Sequence, residues 1–178
     1  MRRNIMKERE KYKFSRVLME NDLVVMDTCS IFSAGFIKLF QQNAKSIVQL
    51  ERPVILHQAV VNELIRISKT PEHLKYRDAK NILPILNVLE NAKVFKYVGD
   101  SKDVRFADQQ FLEYIVNSRI NNKIVLITLD KKLTADILLQ NESLSYHGNK
   151  VRVLGLSNEG ELYESFNVKA SMSSVVLN

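Results

Sequence analysis

The sequence predicts an α/β fold: a three-layer α/β/α sandwich around a central parallel sheet of five strands. Three observations lead there. Five short β-rich runs, "LVVM" (23–26), "PVIL" (53–56), "KVFKYV" (93–98), "KIVLIT" (123–128) and "KVRVLGL" (150–156), alternate with stretches of helical periodicity. The first run is apolar at every position, as a parallel strand covered on both faces requires. Strands that alternate with helices pair in parallel through right-handed crossovers, which lay the helices over both faces of the sheet.

The helices follow in order. Residues 34–49 place Phe36, Leu39, Phe40 and Ile47 in helical register, and the next region sets Val61, Leu64 and Ile65 at i, i+3 and i+4. Thr70 followed by Pro71 predicts a capped helix start, and Pro84 predicts a kink or break inside "NILPILNVLEN". A two-part helical excursion is therefore expected between the second and third strands. After the third strand, "GDS" supplies a turn and cap, and Ala107, Phe111, Tyr114, Ile115 and Ser118 form one helical face; "KLTADILLQ" is a further short helix. We divide the chain into a basic helical leader (1–21), one α/β domain (22–156) and a C-terminal extension (157–178).

Composition sets the class. With 178 residues, 46% apolar and 26% charged, the chain is long enough for one domain with a core. Twenty-six Lys and Arg against 20 Asp and Glu, a net +6, suit a polyanionic partner. The single cysteine, Cys29, can form neither an intramolecular disulfide nor a thiolate metal site alone, which favours a reducing, cytoplasmic compartment. No run reaches the roughly 18 apolar residues of a membrane span, so no membrane partner is expected. "MRRNIMKEREKYKFSR" lacks the apolar core of a secretory signal and carries Glu8 and Glu10; it reads as a solvated charged helix, ahead of a basic arm on nucleic acid.

The acids are placed informatively. Ligands of open α/β sheets bind at the carboxyl ends of the strands, where strand order reverses. Asp27 ends the first run, and Asp130 follows the fourth, with Thr128 on the same side of the extended chain. Glu63 sits between Val61 and Leu64, near the buried face of its helix, and Asp108 lies at the margin of the stripe that contains Ala107 and Phe111. Each acid also has an ordinary structural use. Asp27 and Asp130 can cap helices, Glu63 can pair with Arg66, and Asp108 can complement a helix dipole. Their recurrence after successive strands, in the order Asp, Glu, Asp, Asp, is what points to one site.

At "VVMDTCSIF", "VVNELIR", "FADQQFLEYI" and "VLITLDKKL" the sequence resembles the PIN-domain nucleases, including the VapC-toxin-like ribonucleases, over roughly residues 22–156. The resemblance implies an endoribonuclease in which Asp27, Glu63, Asp108 and Asp130 are both catalytic and metal-binding, gathered around Mg²⁺ or Mn²⁺. Thr128 matches the hydroxyl that accompanies the last acid and Thr28 the one after the first. Cys29 stands where the family carries Ser or Asn, with Ser30 beside it as a substitute in the supporting shell. Implied partners are an RNA substrate, a protein antitoxin or other regulator, and a second copy in a homodimer.

The residue types suit that chemistry independently. A carboxylate cluster without His or Cys ligands matches a hard, oxygen-seeking cation and not zinc. Such a site can activate a water and stabilise the leaving 3′-oxygen of a phosphodiester, with no covalent intermediate. Arg66, Lys69, Lys131 and Lys132 are placed to hold phosphates, or simply to keep the surface soluble. His57, His73 and His147 share no spacing and read as structural or surface residues. Two other classes compete. One is a cleavage-inactive RNA-binding or protein-interaction module; the other is a phosphatase with Asp27 as nucleophile, whose strand-end DxD pattern is missing because Thr28 and Cys29 follow.

Overall fold

The computed structural model describes residues 11–100, 107–143 and 147–165. The chain runs β1 (Lys11–Tyr12), α1 (Phe14–Glu20), β2 (Leu23–Met26), α2 (Thr28–Ile31), α3 (Gly35–Gln49), β3 (Val54–His57), α4 (Gln58–Ser68), α5 (Tyr76–Asn91), β4 (Phe95–Val98), α6 (Ala107–Ser118), β5 (Ile124–Ile127), α7 (Lys131–Glu142), β6 (Arg152–Leu156) and β7 (Leu162–Glu164). The fold is mixed α/β, and among the described residues no helix is long and apolar enough to cross a membrane.

The sheet corrects the expectation of five parallel strands. Among the described residues it has seven, in the order β1-β7-β6-β5-β2-β3-β4, and it is mixed. The five runs read from the sequence become β2 to β6 and pair in parallel, while β7 and β1 add an antiparallel edge beyond β6. Both added strands come from segments assigned to the leader and the extension. They are too short, at two and three residues, to show alternation in sequence. Edge pairing is reinforced from the side: Arg152 lies 4.1 Å over the Tyr12 ring and donates to Glu164 at 2.9 Å, and Lys11 pairs with Glu161. Of the leader read as a solvated helix, residues 1–10 lie outside the described residues, and in α1 Phe14, Val17 and Leu18 are buried.

An aromatic group joins these parts. Phe14 of α1 meets Phe40 of α3 edge-on, and Phe40 and Phe36 both pack on Phe95 of β4. The strands β2, β3 and β5 are nearly wholly buried, which accounts for the unbroken apolar sequences of β2 and β5 and for the apolar run that precedes His57 in β3.

The helical excursion has two parts, but the division is not at Pro84. The exposed Pro84 is accommodated inside α5, which continues through it to Asn91. The break falls instead at residues 69–75. There the Thr70 hydroxyl donates to the Arg66 carbonyl and closes α4, where the sequence suggested it would cap a new helix. Two turns follow, from His73 N to Thr70 O and from Tyr76 N to His73 O, before α5 begins.

Candidate functional site

Strand order fixes the location. From β2 the chain steps outward to β3 and β4, then returns to β5 on the other side of β2 and continues to β6. Order therefore reverses between β2 and β5, whose carboxyl ends lie side by side in register, Met26 opposite Ile127. The pairing extends one step further, with Asp27 N donating to Ile127 O at 3.3 Å. Asp27 and Thr128 are thereby brought together from 101 positions apart.

The Asp27 carboxylate is 5% exposed and fully engaged. Its Oδ1 accepts from Ser30 N at 2.9 Å, so it is the N-cap of α2, and its Oδ2 accepts the Thr128 hydroxyl at 2.6 Å. Ser30 is buried too and donates its own hydroxyl to Ile127 O, which ties α2 to the end of β5. Burial raises the Asp27 pKa, the bonds from Thr128 and Ser30 pull it down, and the nearby charge of Asp130 pushes it up again.

Asp130 is coupled to the same hydroxyl. Its backbone N–H donates to Thr128 Oγ1 at 3.0 Å, while its Oδ1 accepts from Lys132 N and Leu133 N and so caps α7. Glu63 arrives on α4, one turn beyond buried Val60, and accepts the Thr28 hydroxyl on Oε2 at 2.6 Å. Its described hydrogen bond is thus to Thr28 and not to Arg66. The two threonines act as matched struts, each presenting one acid.

These groups line one cavity of about 810 Å³, which includes Asp27, Thr28, Glu63 and Asp130. Asp108 occupies the first turn of α6, next to Gln109, which lines the cavity; its side chain lies outside the described residues. Of the cations expected nearby, Lys132 lines the cavity. Arg66 and Lys69, both exposed at the end of α4, and the exposed Lys131 do not.

Other lining residues were not anticipated. Asp136 follows Lys132 by four and Leu133 by three, so the helical repeat of α7 puts all three on the cavity side. That signal was present in the sequence. His73 and Lys75 reach the cavity only because the break between α4 and α5 falls at 69–75, and no local pattern announces it. Phe32, Val60, Ile67, Phe111, Leu112 and Leu129 supply an apolar wall. His57 is buried as the cap of α4, accepting from Ala59 N at 3.2 Å, and His147 is exposed.

Among the described residues, no three His, Cys, Asp or Glu side chains form a ready-made metal-binding group. The donor chemistry at Asp27 nevertheless suits a hard cation, with carboxylates from three elements and threonine hydroxyls, in a cavity that Cys29 and His73 also line. Neither a scan against protein-family models nor a search of curated proteins returns a match for this chain.

Proposed function

We propose that this chain is a metal-dependent endoribonuclease with a PIN-like three-layer sandwich, using Mg²⁺ or Mn²⁺ at Asp27, Glu63 and Asp130, with Asp108 as the fourth acid. One observation carries the reading. A buried carboxylate at the point where strand order reverses shares a single threonine hydroxyl with a second acid and a single cavity with a third. Burying a charge this far is costly unless something compensates it, and a divalent cation would.

When bound, the cation would activate a water and offset the charge on the phosphate and the leaving 3′-oxygen. The chain's own groups do the positioning. Thr128 donates to the Asp27 carboxylate, and Thr28 donates to that of Glu63. Lys132 offers a positive charge to a phosphate at the wall. The products would be a 5′-phosphate and a 3′-hydroxyl.

The test is incubation of the pure protein with mixed RNA and DNA substrates in Mg²⁺, in Mn²⁺ and in chelator. Cleavage of RNA is expected only with metal, and Asp27→Asn and Asp130→Asn should each abolish it while the fold persists. Unchanged turnover in either variant removes that residue from the site. A second reading, a cleavage-inactive RNA-binding or interaction module, draws on the capping bonds that Asp27 and Asp130 make to α2 and α7. It is selected if RNA binds but metal has no effect on either binding or cleavage.

A further inference from the structure

The cavity lining is of two chemical kinds. Asp27, Glu63, Asp130 and Asp136 supply carboxylates, and Phe32, Val60, Ile67 and Leu129 supply apolar surface. Carboxylates and a metal account for the first kind only. A phosphodiester needs no apolar surface, but the base attached to it does.

Phe32 is the aromatic residue placed to serve that base. It ends α2, five residues after Asp27, with its backbone N–H donating to Thr28 O at 3.2 Å, so ring and carboxylate are set by the same short helix. The ring is half-buried and packs against the core. Above it, 5.7 Å from the centroid, stands the ammonium of Lys75. Lys75 also pairs with Asp78 at 3.1 Å, and both side chains are about half exposed (49% and 51%), so that pair is weak. An exposed cation–π contact is worth less than a base stacked on an aromatic ring.

We propose that Phe32 is the seat of one nucleobase of the RNA, and that Lys75 covers the ring until the base arrives and then moves to a neighbouring phosphate. The seat rests on the nuclease reading for its ligand, and it assigns to Phe32 and Lys75 a role the metal chemistry does not require. A cavity of about 810 Å³ is of the size that takes one small ligand, here a single unstacked nucleotide.

The experiment measures binding of fluorescein-labelled RNA pentamers in chelator, with one abasic ribose moved through the five positions. For wild type, one position is expected to weaken affinity by about 5-fold or more, the range of a lost base stack. Phe32→Leu, which keeps an apolar side chain, should weaken the intact pentamer by a similar factor and erase the penalty of the abasic site. Phe32→Trp should preserve both. Lys75→Ala should lower the salt dependence of binding by about one phosphate contact. Thermal melts confirm that the variants are folded. An equal penalty at all positions, or one that persists in Phe32→Leu, overturns the seat, while metal-dependent cleavage of the same RNA can still stand. If the wild-type chain neither binds nor cuts the pentamers or longer RNA, both readings fall.

Discussion

Thr128→Val is the most informative single substitution, because the two side chains share a shape and differ by the hydroxyl that joins Asp27 to Asp130. That hydroxyl is fully buried, donates to Asp27 Oδ2 at 2.6 Å and accepts from Asp130 N at 3.0 Å. A hydrogen bond to a charged group contributes about 1.5–3 kcal/mol, and an N–H left unpaired costs about 1–3 kcal/mol. The added methyl of valine returns about 0.8 kcal/mol. The net loss is about 2–5 kcal/mol, which for a chain of 178 residues corresponds to a melting temperature lower by about 5–15 °C. Thr128→Ser keeps the hydroxyl and gives up one methyl, so it should lose only about 1 kcal/mol. Melts followed by far-UV circular dichroism, at neutral pH in chelator, compare the three proteins. If the valine variant melts with wild type, or above the serine variant, the hydroxyl is not the joint between the acids.

Three further expectations follow from other contacts. Burial raises the Asp27 carboxyl above its ordinary 3.8, so its contribution to stability is complete below that value and is lost as the pH rises through the folded one. In chelator, wild type should therefore gain stability relative to Asp27→Asn as acid is added, since only wild type carries the buried charge at neutral pH; a difference that stays constant with pH would assign the effect to something other than this charge. Gly35→Ala would put a methyl 1.8 Å from the Ser157 carbonyl oxygen, and should destabilise by about 1–3 kcal/mol or more, read as a lower midpoint in urea; an unchanged midpoint would mean the α3 start and the 157–160 turn can separate freely. Arg152→Gln removes the cover over Tyr12 and the bond to Glu164, so amide exchange across Leu162–Glu164 should quicken while that of β2 is unchanged. Equal exchange at both places would show that Arg152 contributes nothing to the edge.

Much of the architecture was legible because its signals are local. Val24, Val25 and Met26, and likewise Ile124 to Ile127, are strands buried on both faces, and burial of that kind leaves a continuous apolar run. The capping of α2 by Asp27 and of α7 by Asp130 was also readable, and the structure shows that both caps form. What the sequence could not supply was tertiary. Lys11–Tyr12 is a strand only because Leu162–Glu164 offers it a partner. The adjacency of Asp27 and Thr128 depends on strand order, which no periodicity encodes. Thr70–Pro71 misled for a related reason, since the hydroxyl bonded backwards to Arg66 when forward capping was equally open to it. Phe32 drew no notice because an aromatic beside an apolar run normally joins the core, and this one joins it only in part.

The stitched edge of the sheet also sets a timetable. Lys11 reaches Glu161 across 150 positions of chain, and β1 has no strand to pair with other than β7 among the described residues. On a ribosome adding about 5–20 residues per second, β1 must wait roughly 8–30 seconds after its own synthesis before its partner emerges. Throughout that interval β6 is either unmade or has one bare edge, the kind of surface that recruits foreign strands. The core strands β2, β3 and β4 can meet early, being neighbours both in sequence and in space. Assembly of this domain is thus expected to begin at the β4 side and to finish by sealing the opposite border, with β1 docking among the last.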